Sequence, residues 1–137
     1  MPHDPALVAY TREWLVKASK DLGRIELALS TSPADPEDAL FHCQQAIEKA
    51  FKGFLTWHNQ AFRKVHNLGE LGKQSLTIDP TLEPLVDQAA SVTEYAWVFR
   101  YPGDVPEPTL EEADRGRILA REVLDAILSR LPSDVRP

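Results

Sequence analysis

The chain has 137 residues, 43% hydrophobic and 26% charged, enough for a single domain over residues 1–137 with a core that needs no staples. Its formal net charge of −6 weighs against unassisted binding along a nucleic-acid backbone, which clustered Lys and Arg drive, so RNA is a disfavoured partner. Cys43 is the only cysteine; internal disulfides and multi-cysteine zinc sites are excluded, and a reducing cytoplasm is the expected compartment.

Proline punctuates the chain into helical segments. Asp4-Pro5 reads as an N-cap followed by proline at the first helical position. Downstream, Val8, Leu15, Ala18, Leu22, Ile25 and Leu29 recur at helical steps, which predicts an amphipathic helix to about Ser30. The leading residues lack a basic and apolar leader pattern. No apolar run in the chain approaches the roughly 20 residues of a membrane span.

Ser32-Pro33-Ala34 is a short break. Asp35-Pro36-Glu37-Asp38 repeats the start signal, with acid that favours a helix N-terminus. The second helix runs to about His58. At 100° per residue, Leu40, Cys43, Ile47, Ala50, Phe51, Phe54 and Leu55 share one face, with His42, Gln45, Lys49 and Lys52 on the opposite, polar side. Residues 59–65 read as a loop. A short helix carrying Leu68, Leu71 and Leu76 follows, weakened by Gly69 and Gly72.

Asp79-Pro80 opens another long helix with Leu82, Leu85, Ala89, Val92, Ala96 and Phe99 as its stripe, ended by Pro102-Gly103. Residues 104–108 form a proline-rich turn. Thr109-Leu110-Glu111-Glu112 is a capping box. The last helix presents Ala113, Ala120, Val123, Ile127 and Leu131, and Pro132 stops it. The expected fold is all-α, an up-and-down four-helix bundle with one additional short helix.

Three constellations carry polar chemistry. In the second helix, Gln44 projects near the apolar stripe and Glu48 sits at its border. Buried amides and carboxylates need partners, so both are expected in a hydrogen-bond network. That network either fixes register or touches a ligand. Arg63-Lys64-Val65-His66-Asn67 places two cations before a helix start. It reads either as an anion site or as a simple cap by His66 or Asn67. Phe99-Arg100-Tyr101-Pro102-Gly103 ends a helix. Its Arg complements the dipole, or Arg100 and Tyr101 grip a phosphate and stack on a base.

Other side chains read more plainly. Cys43 lies on a core face and reads as a small buried hydrophobe. Trp14, Trp57 and Trp97 read as core or subunit-contact residues. Arg115, Arg117, Arg121, Glu122 and Asp125 read as a solvated face. Simple counting removes other chemistries. No Glu lies three before His42, His58 or His66, as a di-iron bundle would need. There is no glycine-rich phosphate loop and no His-Glu-x-x-His. No metal and no cofactor is expected.

The order of these pieces is informative. Trp14, Ala18, Asp21 and Leu22 lead; His42-Cys43-Gln44-Gln45-Ala46-Ile47-Glu48-Lys49-Ala50 follows, then Phe62-Arg63-Lys64-Val65-His66-Asn67-Leu68, and Arg100-Tyr101-Pro102-Gly103 before a final amphipathic helix. From about Ala9 to Leu131 this resembles the stand-alone prokaryotic branch of the HEPN family. Asn67 stands where family members more often have Asp. The resemblance implies a helical bundle that forms homodimers. It also implies nucleotide binding, and pairing with a minimal nucleotidyltransferase in toxin–antitoxin or defence modules.

Ribonuclease members of that family use Arg, four to six residues, then His. The residues at those distances before His42 are Asp35, Pro36 and Glu37. Before His58 they are Phe51, Lys52 and Gly53, and before His66 they are Asn59, Gln60 and Ala61. No histidine follows Arg100. The acid–base partner for cleaving RNA through its 2′-hydroxyl is therefore missing. The expectation is a non-catalytic module that holds a nucleotide or a nucleotidyltransferase partner. Its expected ligand residues are Gln45, Glu48, Lys49, Lys52, Lys64, His66, Arg100 and Tyr101. Lys and Arg would meet phosphate, Tyr101 would stack, and Glu48 would accept from a base or sugar hydroxyl. The alternatives are a divergent ribonuclease, with His66 or Tyr101 replacing the missing histidine, and a purely structural dimeric interaction domain.

Overall fold

The structure is a computed structural model that describes residues 3–64, 66–98, 102–103 and 106–137, with the side chains of 93–98 outside the description. Five α-helices and two short 3-10 turns make up its regular structure, and the described residues contain no strand.

Helix α1 spans Pro5–Ser30, capped by Asp4, whose carboxylate accepts the Ala6 N–H. Helix α2, Pro36–Trp57, starts the same way: Asp35 accepts the Asp38 N–H, and Glu37 and Asp38 add negative charge to the first turn. It ends where Asn59 adopts φ 55, a left-handed conformation that Asn tolerates better than most residues. That reversal lets the Gln60 N–H reach the Leu55 carbonyl at 2.9 Å.

Helix α3 spans Leu68–Ile78, and Asn67 caps it by accepting the Glu70 N–H. The helix expected to open at Asp79-Pro80 begins with a single 3-10 turn, Pro80–Leu82, before α4 runs over Glu83–Val98. Pro84 in the first α4 turn has no N–H to miss. Helix α5, Leu110–Leu128, opens with the expected capping box, Thr109 and Glu112 bonding each other's backbone N–H groups. A second 3-10 turn at Ser133–Val135 seats Val135 in the core.

Helix α2 is the hub, packing on α1, α3, α4 and α5. All seven residues expected on its apolar face are buried, with Phe51, Phe54, Ile47 and Leu55 the largest. Each such side chain contributes roughly 1.5–3 kcal/mol by leaving water. Leu15, Ala18, Leu22 and Ile25 complete the seam with α1; Ala113, Ala120, Val123 and Ile127 do so for α5, and Leu131 is buried just beyond its end. Of the expected α4 stripe, Leu82, Ala89 and Val92 are buried and Leu85 is half-buried, and Val86 joins them. Phe99 and the side chain of Ala96 lie outside the described residues.

A polar clasp ties the turn before α4 to the residues just after α5. Arg130 Nε donates to Asp79 Oδ2 at 2.6 Å and its Nη2 to Thr81 Oγ1 at 2.8 Å. The Thr81 hydroxyl first, then Arg130, hold the Asp79 carboxyl below its ordinary range. A lowered folded value means the clasp is fully present above the ordinary Asp range. It is lost as pH falls through the lower folded value.

Glycine placement gives a test of the packing. A Cβ on Gly72 would lie 2.6 Å from Val86 Cγ1, on a stiff β-branched side chain, whereas a Cβ on Gly23 would meet nothing within 4 Å. Alanine gains about 1 kcal/mol of helix propensity at either site, and overpacking costs roughly 1–3 kcal/mol at the first. Gly23→Ala is expected to raise the melting temperature and Gly72→Ala to lower it. The reverse order in thermal unfolding would refute the α3–α4 packing described here.

Candidate functional site

Gln44, Glu48 and Lys52 stand one helical turn apart on α2, so their side chains form a column. The column is buried: Gln44 is 0%, Glu48 3% and Lys52 7% exposed. Glu48 Oε2 accepts Lys52 Nζ at 3.0 Å. Its Oε1 accepts Gln44 Nε2 at 3.1 Å and lies 2.8 Å from His66 Nδ1. A carboxylate only accepts, so in this pairing the proton sits on Nδ1. Gln44 Nε2 also donates to the His66 carbonyl at 2.9 Å, and Gln45 Nε2 donates to Gln44 Oε1 at 2.7 Å. The network expected around Gln44 and Glu48 is present.

On the opposite, polar side of α2, Lys52 is buried and His42, Gln45 and Lys49 are half-buried. The side opposite the apolar stripe is covered by α1 and by the returning segment 59–67. Asp21 on α1, 1% exposed, meets His42 Nδ1 at 2.9 Å and Lys49 Nζ as a direct ion pair. Arg24 lies 3.7 Å from the same carboxylate. Asp21 was not anticipated as a polar anchor, because it occupies a core-facing position of an otherwise apolar stripe.

Above the Glu48 column lies an open cavity of about 750 Å³ between α1 and segment 59–66. Leu7, Tyr10 and Trp14 wall it from α1, Lys52 and Thr56 from α2, and Phe62, Lys64 and His66 from the segment, with Asn59 and Gln60 beside them. Lys52 Nζ sits 5.4 Å from the Trp14 ring centroid and 5.8 Å from that of Phe62, a cation held between two π faces. Trp14 packs edge-on to Phe62 at 6.1 Å and tilted to Tyr10 at 6.2 Å. Tyr10 is 52% exposed. Thr11 Oγ1 and Trp14 Nε1, both buried, have no hydrogen-bond partner among the described residues.

Of the expected ligand residues, Lys52, Lys64 and His66 come together on this cavity. Glu48 lies behind it with both oxygens engaged. Gln45 reaches it only through Gln44, and Lys49 turns away to Asp21. Arg100 and Tyr101 lie outside the described residues. The aromatic wall of Tyr10, Trp14 and Phe62 was missed; its signal is two aromatics at an i, i+4 spacing on the first helix. At the start of α3 the capping reading holds for Asn67, and Arg63 is engaged by Glu70 at 2.9 and 3.0 Å.

Elsewhere the polar inventory is quiet. Burial pushes the Cys43 thiol up to about 12, which keeps it protonated and unreactive. Trp57 is half-buried against the core, and the Trp97 side chain lies outside the described residues. Arg115, Arg121, Glu122 and Asp125 are exposed, while half-buried Arg117 pairs with Asp114 and Glu26. Among the described residues no cluster of three or more His, Cys, Asp or Glu could hold a metal ion, and no helix is long and apolar enough to cross a membrane.

The family model described as HEPN domain matches residues 11–131. No curated protein matches the chain, and no solved structure does.

Two outcomes test the site's construction. Removing one partner of a buried ion pair costs about 3–5 kcal/mol, so Glu48→Ala is expected to shift the urea midpoint strongly downward. A shift within error of zero would mean that the column is not buried as described. Cys43, fully buried and protonated, is expected to resist a thiol reagent at pH 8 until denaturant opens the chain. Prompt labelling of the native protein would contradict that burial.

Proposed function

Because the chain belongs to the HEPN domain family, we propose that it is a non-catalytic binding module whose ligand is a nucleotide. The observation that carries this reading is the cavity over the Glu48 column. Its lining brings aromatic rings and cations together, the two kinds of group a nucleotide needs for base and phosphate. Lys64 is exposed at its rim and Lys52 sits deeper, against Trp14. Glu48, its oxygens already engaged, holds Lys52 and His66 in place instead of touching the ligand. Its donors are a Lys, an amide and His66, which supports a positioning role. Arg100 and Tyr101 are proposed as a further phosphate and stacking pair.

The sequence supports the absence of catalysis: no Arg is followed by His after four to six intervening residues, and no histidine follows Arg100. The proposal extends to a homodimer in the cytoplasm that pairs with a nucleotidyltransferase in a toxin–antitoxin or defence module. Family membership supports that part.

Calorimetric titration tests the reading. Charge-assisted hydrogen bonds are worth about 1.5–3 kcal/mol, and 1.4 kcal/mol is tenfold in affinity. Lys64→Ala and Arg100→Ala are each expected to weaken nucleotide binding at least tenfold. Unchanged affinity in both variants would remove the cavity and the Arg100 turn as the site.

A further inference from the structure

We infer that a bound nucleotide lies in this cavity in one direction, with its base stacked on Tyr10 and its phosphate at the end that holds Lys52; this rests on the nucleotide reading above and gives it an orientation. Helices α1 and α2 run antiparallel, and their contacts fix the register. His3 meets Trp57, Lys52 lies over Trp14, and Asp21 takes His42 and Lys49. Residue numbers rise along α1 as they fall along α2. Tyr10 stands one turn, about 6 Å of helix rise, before Trp14. It therefore lies beyond Lys52, on the side of Thr56 and the end of α2.

The returning segment follows the same axis. The Gln60 N–H bonds the Leu55 carbonyl, Phe62 meets Trp14 edge-on, and His66 reaches Glu48. Lys64 falls between Phe62 and His66, so it belongs to the part of the cavity beside Trp14 and Glu48. Three lining groups that can carry positive charge, Lys52, Lys64 and His66, thus gather toward one end. Tyr10, Asn59 and Gln60 line the other.

The two ends suit different parts of one ligand. Phosphate oxygens are met by charged donors, which the Lys52 end supplies. The direction does not depend on how many cations meet the phosphate, so Arg100 can join them. Trp14 and Phe62 also lie at that end, but Lys52 Nζ sits over both rings. Tyr10 differs from them. It leans on Trp14 at 6.2 Å, tilted by 43°, and is 52% exposed. A ring braced on one side and open on the other is a stacking platform for a base. Asn59 and Gln60 each carry an amide, which offers both donors and an acceptor to the edge of a base. Base identity is then read at the Tyr10 end.

The test uses the full chain and the common ribonucleotide that binds it tightest by calorimetry. In NMR spectra of the saturated protein, the base protons are expected to give Overhauser contacts to the Tyr10 ring, assigned by their loss in Tyr10→Leu. Base protons that contact the His66 ring or the Lys64 side chain, and not Tyr10, overturn the inference and leave the nucleotide reading standing. Losing an aromatic partner costs a stacked base roughly tenfold in affinity. Tyr10→Leu is therefore expected to weaken the nucleotide about tenfold, and Tyr10→Phe to keep it. Ribose 5-phosphate, which has no base, is expected to bind Tyr10→Leu and the native protein alike. A nucleotide affinity unchanged in Tyr10→Leu also overturns the inference alone. If no nucleotide binds the native chain, the nucleotide reading falls and the inference with it.

Discussion

A carboxylate sealed from water must be answered by donors, and much of this molecule is arranged around answering Glu48. Its partners come from α2 itself and from the chain that returns after α2. The described residues of segment 59–67 form no helix or strand, yet the chain there is held twice. The His66 ring bonds Glu48, and the His66 carbonyl accepts from Gln44. With the segment held there, Phe62 packs edge-on against Trp14 and Lys64 stands at the rim of the cavity. The cavity is the space left between a helix and a segment tethered to the same buried column.

Asp21 does for α1 what Glu48 does for the returning segment. It gathers His42 and Lys49 from α2, seven residues apart on one side of that helix. Well-packed apolar residues often match or exceed a buried ion pair in stability. The two carboxylates are therefore better understood as choosing which surfaces of α2 meet which neighbours. Apolar stripes alone would tolerate α1 sliding along α2 by a turn; a buried charge with fixed partners would not.

The helices were legible in the sequence because their ends are written in short-range chemistry. Asp-Pro pairs, Asn67 and the Thr109–Glu112 box lie within a few residues of the backbone groups they satisfy. The α2 core face was legible for a similar reason, since helical period maps directly onto burial. Gln44 and Glu48 were legible as a network because polar groups beside a core stripe have few other options. Asp21 was not, since its meaning depends on His42 and Lys49, more than twenty residues away. The burial of Lys52 was not legible, because a helical wheel assumes one buried side, whereas a hub helix is covered on several. The Tyr10–Trp14–Phe62 wall joins two segments some fifty residues apart, a relation no local pattern encodes.

Thr11 shows what this construction leaves over. Its hydroxyl is buried with no hydrogen-bond partner among the described residues, on the same helix as the indole N–H of Trp14. A desolvated donor left unmet costs about 1–3 kcal/mol. That is a sizeable share of what a small domain holds in reserve. A valine of nearly the same shape at position 11 would give up no hydrogen bond and would remove the desolvation cost. The seam that positions the aromatic wall therefore has slack: it is built well enough to be specific, and further stability is within reach of one ordinary substitution.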